Sequence, residues 1–358
     1  MSGSPKPRAR TILAVVIVAS AGLVPAAGQD QQPPRHTESV TVSRVLIDAR
    51  VVDPLGEPIR NLNAGHFKVR IDGKPARVES ALWVGDGEKS AAAMLPAMPA
   101  GQGFAGLSEA ARSPARLIVF LFQKHLDASR VVGLMRMLIG MRRFVDSLGP
   151  DDRVAVLSFD SRLRVWLDFT RDMDKVRDVL EHGILFKDPP RIDAMPPPSL
   201  TSTLDVVRAS RAFSMEEALA VLGRSLQPLP GSKSVVLVGH GFGRLAGGMV
   251  FIEAAYAEAR RALQSARASV FCLDVTDADS HTLDAGLIVT AEDTGGFFLR
   301  THQFSEQAVS RLVGALSGQY VLFVEVTTPA ARKIHDIEVE LDGVDNGHVL
   351  AKRSFGGE

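Results

Sequence analysis

Leu117 to Phe122 is an unbroken apolar run, rich in β-branched and aromatic side chains. Such a run suits a strand covered on both faces, because neither side of it meets water. Polar residues follow at once: Gln123, Lys124, His125 and Asp127. A helical pattern then runs from about Ser129 to Leu148, with Leu134, Leu138, Met141 and Val145 on one face. Buried strand, polar loop and amphipathic helix make the first half of a βαβ unit. In an open parallel sheet, the loop at the carboxyl end of a central strand is where ligands bind.

The same alternation continues downstream. Arg153–Phe159 and Leu163–Phe169 are strands close enough in sequence to be antiparallel neighbours. Residues 172–181 read as helix, and 188–203 as an irregular excursion carrying Pro189, Pro190 and Pro196 to Pro198. The pattern predicts one helix over 204–226, a buried strand over 234–239 and a loop over 240–248. A helix over 250–267, a strand over 269–274 and helices over 283–293 and 305–316 follow. Strands alternating with helices imply a doubly wound, mainly parallel α/β sheet.

The two flanks are β in character. Residues 40–52, 67–71 and 76–84 read as strands, with turn signals at Asp53-Pro54-Leu55-Gly56 and Asp72-Gly73. Residues 319–326, 333–341 and 348–354 read as strands again. Neither flank makes a good core alone, so the two are expected to pair into one small β-sandwich. The organisation expected is a signal peptide over 1–28, a disordered lead-in over 29–39, an N-terminal β module over 40–84 and a linker over 85–114. The α/β domain then covers 115–318, and a C-terminal β segment covers 319–358.

The signal peptide rests on Lys6, Arg8 and Arg10, an apolar run from Ile12 to Val24 and the small residues Pro25-Ala26-Ala27-Gly28. That run is shorter than the about 20 residues a membrane span takes. The mature chain is therefore expected to be secreted or periplasmic, without a transmembrane span. Lys+Arg and Asp+Glu are both 41, a formal net charge of +0, which gives no field for nucleic acid. The lone cysteine, Cys272, has no partner for an intramolecular disulfide and lies in an apolar strand, where a buried structural thiol is the reading.

Several motifs invite a catalytic reading and do not support one. In Gly239-His240-Gly241-Phe242-Gly243, a glycine stands where a nucleophile elbow needs serine. Arg244 stands where a dinucleotide loop needs its last glycine. Ser158, Asp160 and Ser161 end a strand and read as turn formers.

Residues 115–318 resemble a von Willebrand factor A domain. The resemblance lies in LIVFLF with its polar loop and helix, DDRVAVLSFDSRLRVWLDFTRD, KSVVLVGHG, ASVFCLDVT and AEDTGGFFLRT. The flanks, VVDPLGEPIRNLNAGHFKVRIDGKPARVESA and GQYVLFVEV followed by IHDIEVEL, resemble the bacterial, notably acidobacterial, secreted proteins related to that family. The resemblance implies a doubly wound sheet and adhesion through a divalent cation held by Asp-x-Ser-x-Ser, a threonine and a further aspartate. Carried onto this chain, the leading aspartate is Gln123, the serines are His125 and Asp127, the threonine falls at Thr201 or Thr203, and the last aspartate is His240. A hard cation wants oxygen ligands; here two of the positions hold imidazoles and the leading carboxylate is an amide.

The chain is thus expected to be a non-enzymatic, metal-independent module with no cofactor that binds a protein or cell-envelope ligand. A transition-metal site for zinc or a similar ion, built from His125, Asp127 and His240, is the alternative. A purely structural envelope component is another.

Overall fold

The computed structural model describes residues 42–85, 116–192, 195–278, 281–327 and 334–356. The expected signal peptide, the lead-in and positions 86–114 of the expected linker lie outside the described residues. All described residues belong to one unit, Val40–Glu358.

The first strand of the α/β layer, β4 (Leu117–Gln123), is buried along its whole length. Its side chains alternate between two cores. Leu117, Val119 and Leu121 face one, while Ile118, Phe120 and Phe122 face the other. Beside β4 lie β5 (Arg153–Phe159) and β7 (Lys233–Gly239), both parallel to it. The sheet continues through β10 (Ala268–Asp274) to β11 (Phe298–Arg300) on one side, and to the antiparallel β6 (Leu163–Thr170) on the other. Helix α1 (Ala128–Asp146) joins α7 (Ser305–Leu316) in the core on one face. Helices α4 (Met215–Leu226), α5 (Ala255–Ser265) and α6 (Asp284–Thr294) close the other. The chain runs outward from β4 through β5 and β6, then returns to β7 and runs the other way. The order therefore reverses between β4 and β7, which makes that pair the switch point of the sheet.

Two local readings are corrected. The expected helix over 204–226 is two, α3 (Val206–Ser210) and α4. Ser214 caps α4 through the Glu217 amide, and the Glu217 carboxylate accepts from the Phe213 amide at 2.8 Å. These bonds start a new helix where the apolar period alone runs on. The expected loop over 240–248 and the start of the next helix are a hairpin, β8 (Arg244–Ala246) and β9 (Met249–Phe251). Gly247 and Gly248 turn it with φ of 57° and 79°, the left-handed pair such a tight turn requires. A short helix α2 (Met173–Asp178) ends in one wide turn over Val179–Gly183.

The flanks do pair, but not as a sandwich. One seven-stranded antiparallel sheet forms from β1 (Val42–Val52), β2 (Phe67–Ile71), β3 (Lys74–Gly85), β12 (Gly318–Thr327), β13 (Ile334–Leu341), β14 (His348–Ala351) and β15 (Ser354–Gly356). Its order is β14-β1-β12-β3-β2-β13-β15. β14 and β15 are successive pieces of one extended run, yet they sit at opposite ends of the order, so the sheet curls until the chain joins its two edges. A sandwich needs two facing sheets; here one sheet wraps its own core of Ile47, Val69, Tyr320 and Leu322.

The curled sheet meets the α/β layer through polar groups. Arg50 of β1, 4 % exposed, donates to Ser269 Oγ at 2.8 Å and Ser234 Oγ at 3.1 Å, at the starts of β10 and β7. Asp48 accepts from Arg267 Nε at 2.8 Å and Nη2 at 2.5 Å. Burial pushes the Asp48 carboxyl up, but the Arg267 guanidinium outweighs it and holds the group below the usual carboxylate range. Its stabilisation is therefore present above the ordinary carboxylate pKa and is lost as pH falls through the lower folded value. Asp48→Asn leaves a buried guanidinium without its counter-charge, and the free energy of unfolding is expected to drop by about 3 kcal/mol at neutral pH. Urea unfolding at pH 7 and pH 3 checks this: the gap between variant and parent should narrow at the acid end.

Candidate functional site

The carboxyl ends of β4 and β7 bound the crevice at the switch point. Gln123 closes β4, and its amide turns toward β7 instead of solvent. Nε2 donates to the Gly241 carbonyl at 2.9 Å, and Oε1 accepts from the His240 backbone N–H at 3.0 Å. One side chain thus crosses between the two strand ends, which only a group that donates and accepts at once can do. A Cβ at Gly239 would stand 2.5 Å from Gln123 Oε1, so glycine there makes room for the amide. Gly241 has φ 93°, and a Cβ on it would meet the Leu283 carbonyl at 2.3 Å.

His240 follows directly. It is 7 % exposed, and neither ring nitrogen has a hydrogen-bond partner. Burial first, then the nearby positive charge of Arg130 and the neighbouring His125, push its pKa down to about 3. The ring is a neutral imidazole throughout the physiological range. His125 covers it edge-on, with ring centroids 5.1 Å apart and planes at 80°. His125 Nδ1 accepts from the Asp127 backbone N–H at 2.9 Å.

Asp127 is the N-cap of α1. Its Oδ1 accepts from the Ser129 backbone N–H at 3.0 Å and from the Ser129 hydroxyl and Arg130 N–H. These bonds, the serine hydroxyl's foremost, lower its pKa. An aspartate at this place is a helix start, and the Asp127 and Ser129 side chains are both engaged in that cap.

The three side chains of the transition-metal alternative lie at the ends of β4 and β7 and the start of α1. Asp127 is engaged by α1, and His125 Nδ1 is engaged by the Asp127 backbone N–H. Among the described residues, no group of three or more His, Cys, Asp or Glu side chains is placed to hold a metal ion. Thr201 and Thr203 do not join the crevice residues either. Thr201 Oγ1 donates to Asp168 Oδ2, and Thr203 Oγ1 donates to the carbonyls of Leu200 and Ser225. The structure brings together Gln123, His125, Asp127 and His240 and leaves the two threonines in loop packing.

Two polar clusters escape a reading of the sequence alone. Asp274 ends β10, is fully buried, and holds His281 Nε2 at 2.9 Å. An aspartate closing an apolar strand at the same edge as Gln123 and His240 is the signal that could have found it. Asp168, buried on β6, gathers the Ser199 hydroxyl and the Leu200 and Thr201 amides, and so anchors the proline-rich excursion. Those hydrogen bonds keep its pKa low against the opposing effect of burial. Ser158 is bonded by Trp166 Nε1 at 2.8 Å and is a packing residue. Cys272 is fully buried, and burial pushes its thiol up.

His240 carries a pH signature. Its folded pKa lies below its unfolded value, so unfolding takes up a proton as pH falls below about 6.5. Stability is full above that value and falls toward pH 3, by about 1.4 kcal/mol per pH unit at most from this group. His240→Phe should flatten the slope between pH 6 and pH 4 in chemical denaturation, and an unchanged slope would mean that His240 is not the neutral buried group.

No family model matches the chain, and no curated protein matches it. Solved structures do. BatB from Bacteroides thetaiotaomicron matches at 14 % identity and a TM-score of 0.38, over 56 % of this chain and 98 % of its own. A von Willebrand factor type A structure from Catenulispora acidiphila matches at 11 % identity and a TM-score of 0.40, over 84 % of this chain and 76 % of its own. The PilB minor pilin from Streptococcus sanguinis matches at 10 % identity and a TM-score of 0.35, over 56 % and 60 %. Likenesses this distant carry no functional weight, and the fold rests on the strand order and switch point. The strand order and the switch point between β4 and β7 give a doubly wound, mainly parallel α/β layer.

Proposed function

We propose that this chain is an exported, non-catalytic binding module that engages a protein or cell-envelope ligand through the carboxyl-end face of its α/β sheet, without a metal ion. The observation that carries the reading is the state of the crevice. The position where a hard cation would take its leading carboxylate holds an amide, and both ends of that amide are consumed in joining β4 to β7. Part of what the face offers a partner is apolar. Leu126, in the loop after β4, is 100 % exposed, and Leu245, Met249 and Phe251 are exposed on the β8–β9 hairpin that follows β7. Exposed apolar groups that lie together on one face mark interaction surfaces.

Export is supported by the charged, apolar and small-residue order of residues 1–28. Among the described residues, no helix is long and apolar enough to cross a membrane.

The test is ligand capture from the parent organism's envelope extract by the mature chain, with and without EDTA. Capture should survive EDTA and fall at least tenfold in Leu126→Asp, since a buried charge replaces an apolar contact. Capture abolished by EDTA and restored by Mg²⁺ would falsify the metal-independent reading, and capture unaffected by Leu126→Asp would move the surface elsewhere.

A further inference from the structure

Helix α1 is apolar on two faces. Its inner face, with Leu134, Leu138, Met141 and Val145, is buried in the core on that side of the sheet. Its outer face carries Val132, Met135 and Ile139, which are 55 %, 42 % and 68 % exposed. Spacings of three and four residues put these three in one stripe. Apolar side chains on both faces are the pattern of a helix with neighbours on both sides. The cations beside the stripe are already met within the chain. Arg142 pairs with Glu181 at 2.9 Å, Arg143 pairs with Glu306 at 2.9 Å, and Arg136 donates to the His302 carbonyl at 2.9 Å. The stripe therefore suits an occupant that is apolar and uncharged.

The chain itself supplies one. From Ser90 to Ser108 it has no charged residue, and it carries Met94, Leu95, Met98, Phe104 and Leu107. Residues 86–115 lie outside the described residues, but the points where they are tethered do not. Gly85, before them, pairs with Gly318, just past the end of α7. Arg116, after them, donates to the carbonyl of Leu316, the last residue of α7, at 2.6 Å. Both tethers thus stand at the carboxyl end of α7. That helix lies beside α1, since a Cβ on Gly140 would stand 3.3 Å from Val309 Cγ2. From Leu316 back to Val309 is about 10 Å of helix, and from Ile139 to Val132 about 10 Å more. A chain of this length held at both ends reaches roughly 50 Å out before it must return. The whole stripe is within that reach.

Size separates this occupant from a free partner. Three side chains on two turns of helix are a small patch beside the about 800 Å² that each molecule gives to a stable interface. A tethered segment needs less, because the tether sets its local concentration.

We propose that the uncharged segment 90–108 packs on the outer stripe of α1, with its methionine, leucine and phenylalanine side chains against Val132, Met135 and Ile139. This contact goes beyond the ligand-binding reading and does not depend on it.

The test is thiol labelling of the mature chain. Cys272 is fully buried, so Met135→Cys supplies a reactive thiol on the stripe, and Val207→Cys supplies an exposed reference thiol on α3. The quantity read is the labelling rate at Met135→Cys divided by that at Val207→Cys, which cancels any general loosening of the fold. It is measured with the native segment, with Leu95→Asp and Phe104→Asp in the segment, and with 90–108 replaced by a Gly-Ser repeat of equal length. Both altered segments should raise the ratio by about tenfold or more, the protection lost when a contact in place most of the time is removed. A ratio that does not change overturns the proposal. A low ratio in all three chains that rises on dilution also overturns it, by placing a second copy on the stripe. Ligand capture does not enter the readout, so failure here and failure of the crevice reading are separate results.

Discussion

Everything in the α/β layer depends on β4 being dry on both faces. Seven consecutive residues, Leu117 to Gln123, are buried, and a strand of that kind has no stable place except between two layers of helix. That requirement brings α1 and α7 to one side and α4, α5 and α6 to the other. It also decides where polarity can begin. The first side chain able to hydrogen-bond is Gln123, at the strand's last position, and it must find both its partners inside the protein. It finds them in the backbone of the neighbouring strand's loop. The site is thus a by-product of how a fully covered strand ends.

The burial periods in the sequence carried most of this. Strands such as Arg153–Phe159 and helices such as Ser305–Leu316 stand where apolar spacing puts them, because their cores impose one period along the whole element. Spacing could not show where side chain and backbone bonds override it. The break at Phe213–Ser214 depends on a serine and a glutamate bonding neighbouring amides, in a stretch whose apolar pattern continues unbroken. The β8–β9 hairpin depends on two glycines with positive φ. The curl of the flanking sheet depends on pairings between residues more than 250 positions apart, such as Val45 with Val324, which no local window sees.

The site was legible in part. Residue identity alone told that no Asp-x-Ser-x-Ser run follows Leu117–Phe122. It did not tell that Gln123 has a structural task, that Asp127 is a helix cap, or that Thr201 belongs to Asp168. Those are questions of which atom each group faces. His240 sits at the boundary of the two kinds of knowledge. Its place at the end of β7 follows from the pattern, while its lack of any hydrogen-bond partner is a property of packing.

The pairing of Gly85 with Gly318 has a kinetic meaning. The curled sheet is built from strands on both sides of the α/β layer, so its contact order is high and its first three strands cannot find β12 until the intervening chain is in place. Closing a loop of that length in a disordered chain is slow and entropically opposed. Once the α/β layer has folded, however, β12 leaves directly from α7, and the Arg50 contacts to β7 and β10 give β1 a prepared surface to join. The layer that carries the crevice thus holds both the exit of β12 and the groups that β1 docks on.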